Sequence, residues 1–382
     1  MIFFSVSSML TPVRAIGIDL APRRTGKKDL EIRRQEFHEL MISLGNVTVM
    51  QELQFRRDPE YHTFLPAKVI EDLLIAVQEF KVNTLVLNNI VKPQQIFALG
   101  ELLRPHGVTV WDRIDLILEI FTRHAGSAEA KLQIELARVR HMGPRIFGMG
   151  MELSRQGGGK GAGPRRGVGE TNTEIMKRHL KEQERRIFEK LAKVTRSKDL
   201  QRKQRRKENL KTVALVGYTN AGKSSVMQLL TKKENIAVNN AFFVTLDTRL
   251  GRLFLPTVQR SVLLADTIGF IAELPPDLIS AFTSTLSEAL HADLLLQIVD
   301  LSDPAWRKKV AVVDKILQNL HLENTPQVFV GNKIDLLPIR FGKTKIQKEY
   351  REKTPVFISA VTKTGIEELK RTIAEQIFLK RQ

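Results

Sequence analysis

Apolar positions along residues 29–114 alternate between two periods, and the alternation predicts helices and strands in turn. Spacings of three and four predict helices over Leu30–Leu44, closed by Gly45, over Pro66–Phe80, and over Lys92–Leu103. Val69, Leu73, Leu74 and Val77 share one face of the second. Between the helices lie short runs rich in β-branched and aliphatic residues: Val47-Thr48-Val49-Met50, Thr84-Leu85-Val86-Leu87 and Val108-Thr109-Val110-Trp111. Strands separated by helices imply a small parallel sheet with right-handed crossovers. Residues 1–28 end in the cations Arg23, Arg24, Lys27 and Lys28 and contain Pro12 and Pro22. They read as a flexible arm in which Ala15–Leu20 can form a short strand.

Beyond this α/β domain the pattern becomes helical. Residues from about Asp115 to Arg145 carry a seam of Leu132, Leu136, Val139, Met142 and Ile146, with Pro144 kinking or ending the helix. Residues 156–170 hold seven glycines, a proline and three cations, and cannot form a packed element. A second long helix, Thr171–Lys207, follows with Met176, Leu180, Ile187, Leu191 and Val194 on its stripe. Two helices around one loop predict an antiparallel hairpin over 115–207 with a basic, glycine-rich tip. Residues 208–382 return to mixed strands and helices. The fold class expected is therefore α/β: a small parallel-sheet domain, a helical hairpin, and a phosphate-loop domain.

Charge sharpens the picture of the hairpin. The chain has a net charge of +18, and residues 151–210 alone hold 18 Lys and Arg against eight Asp and Glu. Such a concentration suits either a polyanionic partner, nucleic acid first, or a solvated helix face. A glycine-rich tip can approach a phosphate backbone closely, which favours structured RNA, with Lys160, Arg165 and Arg166 as the contacts. The absence of cysteine excludes disulfides and thiolate metal sites and suits a reducing compartment. No apolar run approaches the roughly 18 residues of a membrane span, and the apolar start Met1–Val6 lacks a preceding basic stretch. A soluble, cytoplasmic monomer is expected. His38, His62 and His106 lie far apart with no paired carboxylates, so they read as surface or structural residues.

The strongest chemical signal is Gly217-Tyr218-Thr219-Asn220-Ala221-Gly222-Lys223-Ser224, which matches G-x-x-x-x-G-K-S/T at each fixed position. A buried-strand run, Thr212–Gly217, precedes it, and Ser225 opens a helix-like segment. Backbone N–H groups and the helix N-terminus cradle phosphate there, Lys223 reaches the β/γ-phosphates, and the Ser224 hydroxyl binds Mg²⁺. Downstream, Asp266-Thr267-Ile268-Gly269 supplies a D-x-x-G at a strand end. Asp266 would hold Mg²⁺ through water, and the Gly269 N–H would bond a γ-phosphate. Phe243, Val244 and Thr245 stand where a switch threonine completes the metal shell, with Thr245 chosen and Thr248 as the fallback. Asn332-Lys333-Ile334-Asp335 reads base identity: the Asp335 carboxylate accepts from guanine N1–H and the exocyclic amine, which adenine cannot satisfy. Lys333 packs along the ring, Asn332 bonds the base or the phosphate loop, and the Ser359-Ala360 backbone contacts guanine O6. The set predicts GTP binding. Phe270 follows Gly269 where a water-orienting glutamine would serve, so intrinsic hydrolysis is expected to be slow. Asn220 either coordinates K⁺ or stabilises its turn; equal rates in Na⁺ and K⁺ would exclude the first.

Several segments together resemble the HflX family of translational GTPases. They are VALVGYTNAGKS, Phe243–Asp247, LLADTIGF with Ile271–Pro275, Leu153–Gly159, Gly167–Thr171 and Lys131–Ala137. The resemblance runs from about residue 30 to the C-terminus. It implies an N-terminal α/β domain, a hairpin with a glycine-rich loop, a G domain (208–382), binding to the large ribosomal subunit near the peptidyl-transferase region, and GTP-dependent ribosome dissociation. Two features depart from the family. Tyr61–Lys68 stands where the family has Y-I-G-S-G-K, and one helix, Gly365–Phe378, is expected to close the G domain. A subunit-assembly factor and a non-catalytic GTP-gated RNA-binding module are the alternatives the same residues allow.

Overall fold

The computed structural model describes residues 12–156, 172–207, 210–231, 249–273, 278, 287–338 and 341–379. The chain divides into two compact units, Met1–Arg123 with Glu135–Phe188, and His124–Ile134 with Glu189–Gln382.

The first unit opens with β1 (Val13–Ala21), α1 (Lys27–Ile42), β2 (Val47–Arg56), α2 (Ala67–Phe80), β3 (Thr84–Leu87), α3 (Pro93–Leu103) and β4 (Thr109–Trp111). The strands form a parallel sheet in the order β2-β1-β3-β4. Over 12–28 this corrects the flexible arm: the strand expected at Ala15–Leu20 is an inner strand over residues 13–21, and α1 begins at Lys27. Residues 1–11 lie outside the described residues. Pro12 and Pro22 flank the strand rather than interrupt it. The polar residues that obscure its pattern are satisfied by distant partners. Arg14 donates through Nε and Nη2 to Phe80 O, at 3.0 and 2.8 Å. Asp19 sits in a buried network at the strand end. Gly17 permits close packing, since a Cβ there would lie 2.8 Å from Met41 Cε. Ile16, Ile18, Leu73, Leu85, Leu87 and Leu99 fill the core.

The single helix expected over 115–145 is two, α4 (Arg113–His124) and α5 (Ala128–Gln156). Ala125-Gly126-Ser127 breaks it, and Ser127 Oγ accepts from Ala130 N at 3.1 Å as a cap. Pro144 does not end α5. The next residue, Arg145, is held by Asp112 at 2.9 Å and Asp115 at 2.8 Å, which fixes the helix at that point. His141 joins these two carboxylates, so Asp112, Asp115 and His141 have metal-ligand proximity that sequence separation concealed. Burial, then the neighbouring Asp112, pushes the Asp115 carboxyl above its ordinary range. Arg145 ion-pairs with both acids.

Helix α6 spans Asn172–Lys207. Within the first unit, Arg140 on α5 pairs with Glu184 on α6 at 2.9 Å; within the second, Lys198 on α6 pairs with Glu129 on α5 at 2.7 Å. Ile187 and Leu191 of the predicted stripe are buried, whereas Met176 is exposed and leaves it. The glycine-rich residues 157–171, with Lys160, Arg165 and Arg166, lie outside the described residues.

The second unit contains β5 (Thr212–Gly217), α7 (Lys223–Thr231), β6 (Arg249–Leu255), β7 (Arg260–Asp266), β8 (Leu294–Asp300), α8 (Trp306–Asn319), β9 (Gln327–Asn332), α9 (Lys343–Glu349), β10 (Val356–Phe357) and α10 (Ile366–Ala374). Its sheet runs β10-β9-β8-β5-β7-β6, parallel except for β6, which pairs antiparallel with β7 at the edge. Val213, Leu215, Leu264, Leu296, Val328 and Leu369 build the core beneath it. The ends of β5, β7, β8 and β9 therefore meet along one edge, where open α/β sheets bind ligands. No helix among the described residues is long and apolar enough to cross a membrane.

Candidate nucleotide site

The loop from β5 to α7 bends where only glycine fits. Gly217 and Gly222 adopt φ values of +151° and +92°. A Cβ would lie 2.3 Å from Ile298 O at the first and 2.3 Å from Asn332 Nδ2 at the second. Asn220 also takes a left-handed φ of 61° and is exposed. Lys223 turns back over the loop, buried, and its Nζ donates to Gly217 O at 3.2 Å and Tyr218 O at 2.9 Å. Burial pushes its ammonium down to about 8, against the opposing pull of the Asp266 carboxylate. A desolvated lysine that donates to carbonyls, and to no carboxylate among the described residues, is suited to receive phosphate oxygens. Thr219 Oγ1, also buried, has no hydrogen-bond partner among the described residues.

At the end of β7, Asp266 is fully buried, and Ser224 Oγ donates to its Oδ2 at 2.8 Å. A hydroxyl beside a carboxylate is a hard-oxygen donor set that fits Mg²⁺. Thr267 Oγ1 donates to Leu215 O at 2.7 Å and anchors the D-x-x-G to β5. Gly269 lies against the loop, where a Cβ would be 2.8 Å from Thr219 Cγ2 and 2.9 Å from Lys223 Nζ. The next residue is strapped to the same loop: Phe270 N donates to Gly217 O at 3.1 Å, and Thr219 N to Phe270 O at 2.8 Å. Phe270 is buried at 3% exposure. Tyr218 adds a side-chain tie, its hydroxyl accepting from Ala272 N at 2.8 Å. The Lys309 ammonium lies 4.9 Å from the Tyr218 ring centroid and pairs with Asp303.

The base-reading residues converge from β9 and β10. Asn332 is buried, and its Nδ2 donates to Ala221 O at 3.0 Å, a bond to the phosphate loop. Its Oδ1 accepts from Ala360 N at 3.2 Å, which joins the phosphate loop to the Ser359-Ala360 turn. Lys333, at a left-handed φ of 61°, pairs with Asp300 at 2.7 Å. Asp335 is exposed, Ser359 is buried, and Ser225 lies in the first turn of α7. Phe243, Val244, Thr245 and the fallback Thr248 lie outside the described residues. Sequence reading missed Asp300 and the Tyr218 tie. An acid ending the apolar run of β8, as Asp266 ends β7, was the signal available for Asp300.

A glycine-bounded loop with a buried lysine, a strand-end Ser-Asp pair and an Asn-Lys-x-Asp turn on one sheet edge define a P-loop GTPase. Models described as GTP-binding GTPase N-terminal, GTP-binding GTPase middle region and 50S ribosome-binding GTPase match residues 31–122, 124–205 and 212–333. The chain is 38% identical over 344 residues to GTPase HflX of Caldanaerobacter subterraneus subsp. tengcongensis, covering 90% of this chain and 76% of that one. It is 34% identical over 353 residues to GTPase HflX of Escherichia coli, covering 92% and 80%. The chain belongs to the GTPase HflX family, and it is a GTPase. A GDP complex of a GTP-binding protein from Sulfolobus solfataricus has the same fold. Its TM-score is 0.52 at 22% identity, over 96% of this chain and 99% of that one.

Proposed function

We propose that this GTPase acts on the ribosome, binding the large subunit through rRNA and, in its GTP state, dissociating or rescuing ribosomes. The observation that carries the proposal is the coupling of a phosphate cradle to the segment after D-x-x-G, in a chain whose G domain matches a 50S ribosome-binding model. The cations of α6 support it: Lys181, Lys190, Lys193 and Arg196 are all exposed. Lys160, Arg165 and Arg166 would add contacts at the hairpin tip. On this reading the protein is cytoplasmic and partly ribosome-associated.

In the reaction, water attacks the γ-phosphate in line, and Lys223 with the loop amides stabilises the developing charge. Ser224, Asp266 and Thr245 would hold Mg²⁺, which when bound neutralises β- and γ-oxygen charge. The Gly269 N–H would bond the γ-phosphate. Phe270 is buried and has no side-chain atom that can orient water, so the unassisted reaction is slow. A ribosomal partner would raise it by roughly 10³–10⁵. Asn220, exposed at the lip of the loop, would coordinate K⁺, making hydrolysis faster in KCl than in NaCl.

The test is GTP hydrolysis with and without large subunits and 70S ribosomes, alongside sedimentation of 70S particles with a non-hydrolysable GTP analogue. Stimulation with splitting is the expected outcome. Stimulation by large subunits without splitting would indicate subunit assembly instead, and no response would remove the ribosome as partner.

A further inference from the structure

In a parallel sheet the loops that follow each strand emerge together, and in the N-terminal sheet those loops are cationic. The β1–α1 connection and first turn of α1 carry Arg23, Arg24, Lys27 and Lys28; the end of β2 carries Arg56 and Arg57; the β3–α3 connection carries Lys92. Ala21 pairs in register with Arg56, and Arg57 N donates to Ala21 O at 3.0 Å, so the first two loops are neighbours. Acidic residues nearby are Asp29, Asp58 and Glu60. Asp58 engages Arg23 at 3.1 Å and Glu60 engages Arg57 at 3.0 Å. Arg24, Lys27, Lys28, Arg56 and Lys92 are exposed and make no ion pair within the described residues.

An aromatic ring follows Arg56 and Arg57 in the β2–α2 loop on a stiff support. Tyr61 is 78% exposed, yet Phe64 and Leu65 of the same loop are buried at 3% and 0%. Glu60 N donates to Phe64 O at 2.9 Å, Gln95 Nε2 donates to Glu60 O at 2.7 Å, and Thr63 Oγ1 donates to Leu65 O at 2.7 Å. The His62 ring stands perpendicular to Tyr61, with centroids 5.0 Å apart. An exposed ring on a pinned loop that follows one of the cationic strand ends has the two elements of single-stranded nucleic-acid recognition, a stacking platform and phosphate contacts. Tyr61 and the half-exposed Ile90 are too little apolar surface to insert into a bilayer.

We propose that this edge is a second RNA-contact surface, in which Arg24, Lys27, Lys28 and Arg56 hold phosphates and Tyr61 stacks on an unpaired base. The proposal rests on the ribosomal reading but concerns residues other than Lys160, Arg165 and Arg166 of the glycine-rich loop.

The test uses the full chain, titrated over a range of salt against purified large subunits and against their deproteinised rRNA. Tyr61→Ala should weaken both about tenfold, with Tyr61→Phe near the parent. Replacing Arg24, Lys27 and Lys28 by Gln should lower the log–log salt slope by roughly 0.7 for each phosphate no longer neutralised. GTP hydrolysis without ribosomes should not change in either. Replacing Lys160, Arg165 and Arg166 by Gln serves as the comparison. If that set weakens binding while Tyr61→Ala and the Arg24/Lys27/Lys28 set do not, the second surface is overturned and the ribosomal reading stands. If the parent chain binds and no set weakens it, the second surface is overturned together with the hairpin contacts. If the parent chain binds neither subunits nor rRNA, the ribosomal reading itself fails. Weaker binding to intact subunits but not to rRNA would assign a protein partner and overturn the RNA assignment.

Discussion

Two sheets in this chain end in polar edges that look alike in outline and differ in what they leave unsatisfied. In the N-terminal sheet, Asp19 closes β1 and is matched inside the protein. Arg33 Nε donates to its Oδ1 at 2.7 Å, Asn88 Nδ2 to the same oxygen at 3.0 Å, and Gln54 Nε2 to Oδ2 at 2.9 Å. Arg113 extends the network to Asn88 and Glu36. In the G domain, Asp266 closes β7 beside a hydroxyl, and the buried Lys223 donates to two carbonyls and to no carboxylate within the described residues. Glycines keep open the space in front of that lysine. A closed network specifies structure, whereas a buried charge left to a cradle marks a place for a ligand.

Exchanging the two edges by mutation separates these roles. Lys223→Ala should lower GTP turnover by about 10²–10³, as for loss of a group that meets developing charge, with no loss of stability, since the buried ammonium it removes opposes folding at neutral pH. Asp19→Ala should do the opposite. It strands Arg33 in a mostly buried setting and should destabilise the first unfolding transition by roughly 3 kcal/mol, read by urea titration, with turnover of the folded protein preserved. Turnover lost at Asp19, or stability lost at Lys223, would erase the contrast.

Lys223 also has a pH signature. Its folded value of about 8 lies below the ordinary 10.5, so the nucleotide-free unfolded chain binds more protons between those values. Stability of the nucleotide-free protein should therefore rise with pH through that window. Nucleotide phosphates favour the charged form, so binding at about pH 8.5 should take up a proton, seen as a dependence of calorimetric heat on buffer ionisation enthalpy. The lysine variant should abolish that dependence.

The two edges were unequally legible. Gly217–Ser224 could be read directly because its chemistry is contiguous and its flanking strand and helix are locally encoded; β5 occupies the run the apolar pattern predicts. Asp266 and Asn332 end apolar strands and were visible for the same reason. By contrast β1 was read only as a short strand in an arm, because Arg14 and Asp19 interrupt its apolar pattern and their partners Phe80, Asn88 and Gln54 are remote in sequence. The break at residues 125–127 was hidden by continuous helical periodicity on either side. The antiparallel strand β6 went unread, as did the Asp112, Asp115, His141 and Arg145 cluster, which only tertiary folding assembles. Thr245, Lys160, Arg165 and Arg166 rest on sequence alone.

The smallest expected effect probes how the G-domain edge communicates. The Tyr218 hydroxyl accepts from Ala272 N, three residues beyond the D-x-x-G glycine, while its ring stays packed near Lys309. Tyr218→Phe deletes that one hydrogen bond and keeps the ring. Loss of a neutral hydrogen bond is worth about 0.5–1.5 kcal/mol, or roughly two- to tenfold. The loss should fall on the step that uses the segment after Gly269. Turnover and affinity for a GTP analogue should drop by that factor, with GDP affinity almost unchanged, because GDP has no γ-phosphate for the segment to meet. An equal fall for GDP and the GTP analogue would instead make Tyr218 a brace of the phosphate loop alone. In that case the strap between Gly217 and Phe270 would have to carry the coupling through the backbone, a route no side-chain substitution at Tyr218 could interrupt.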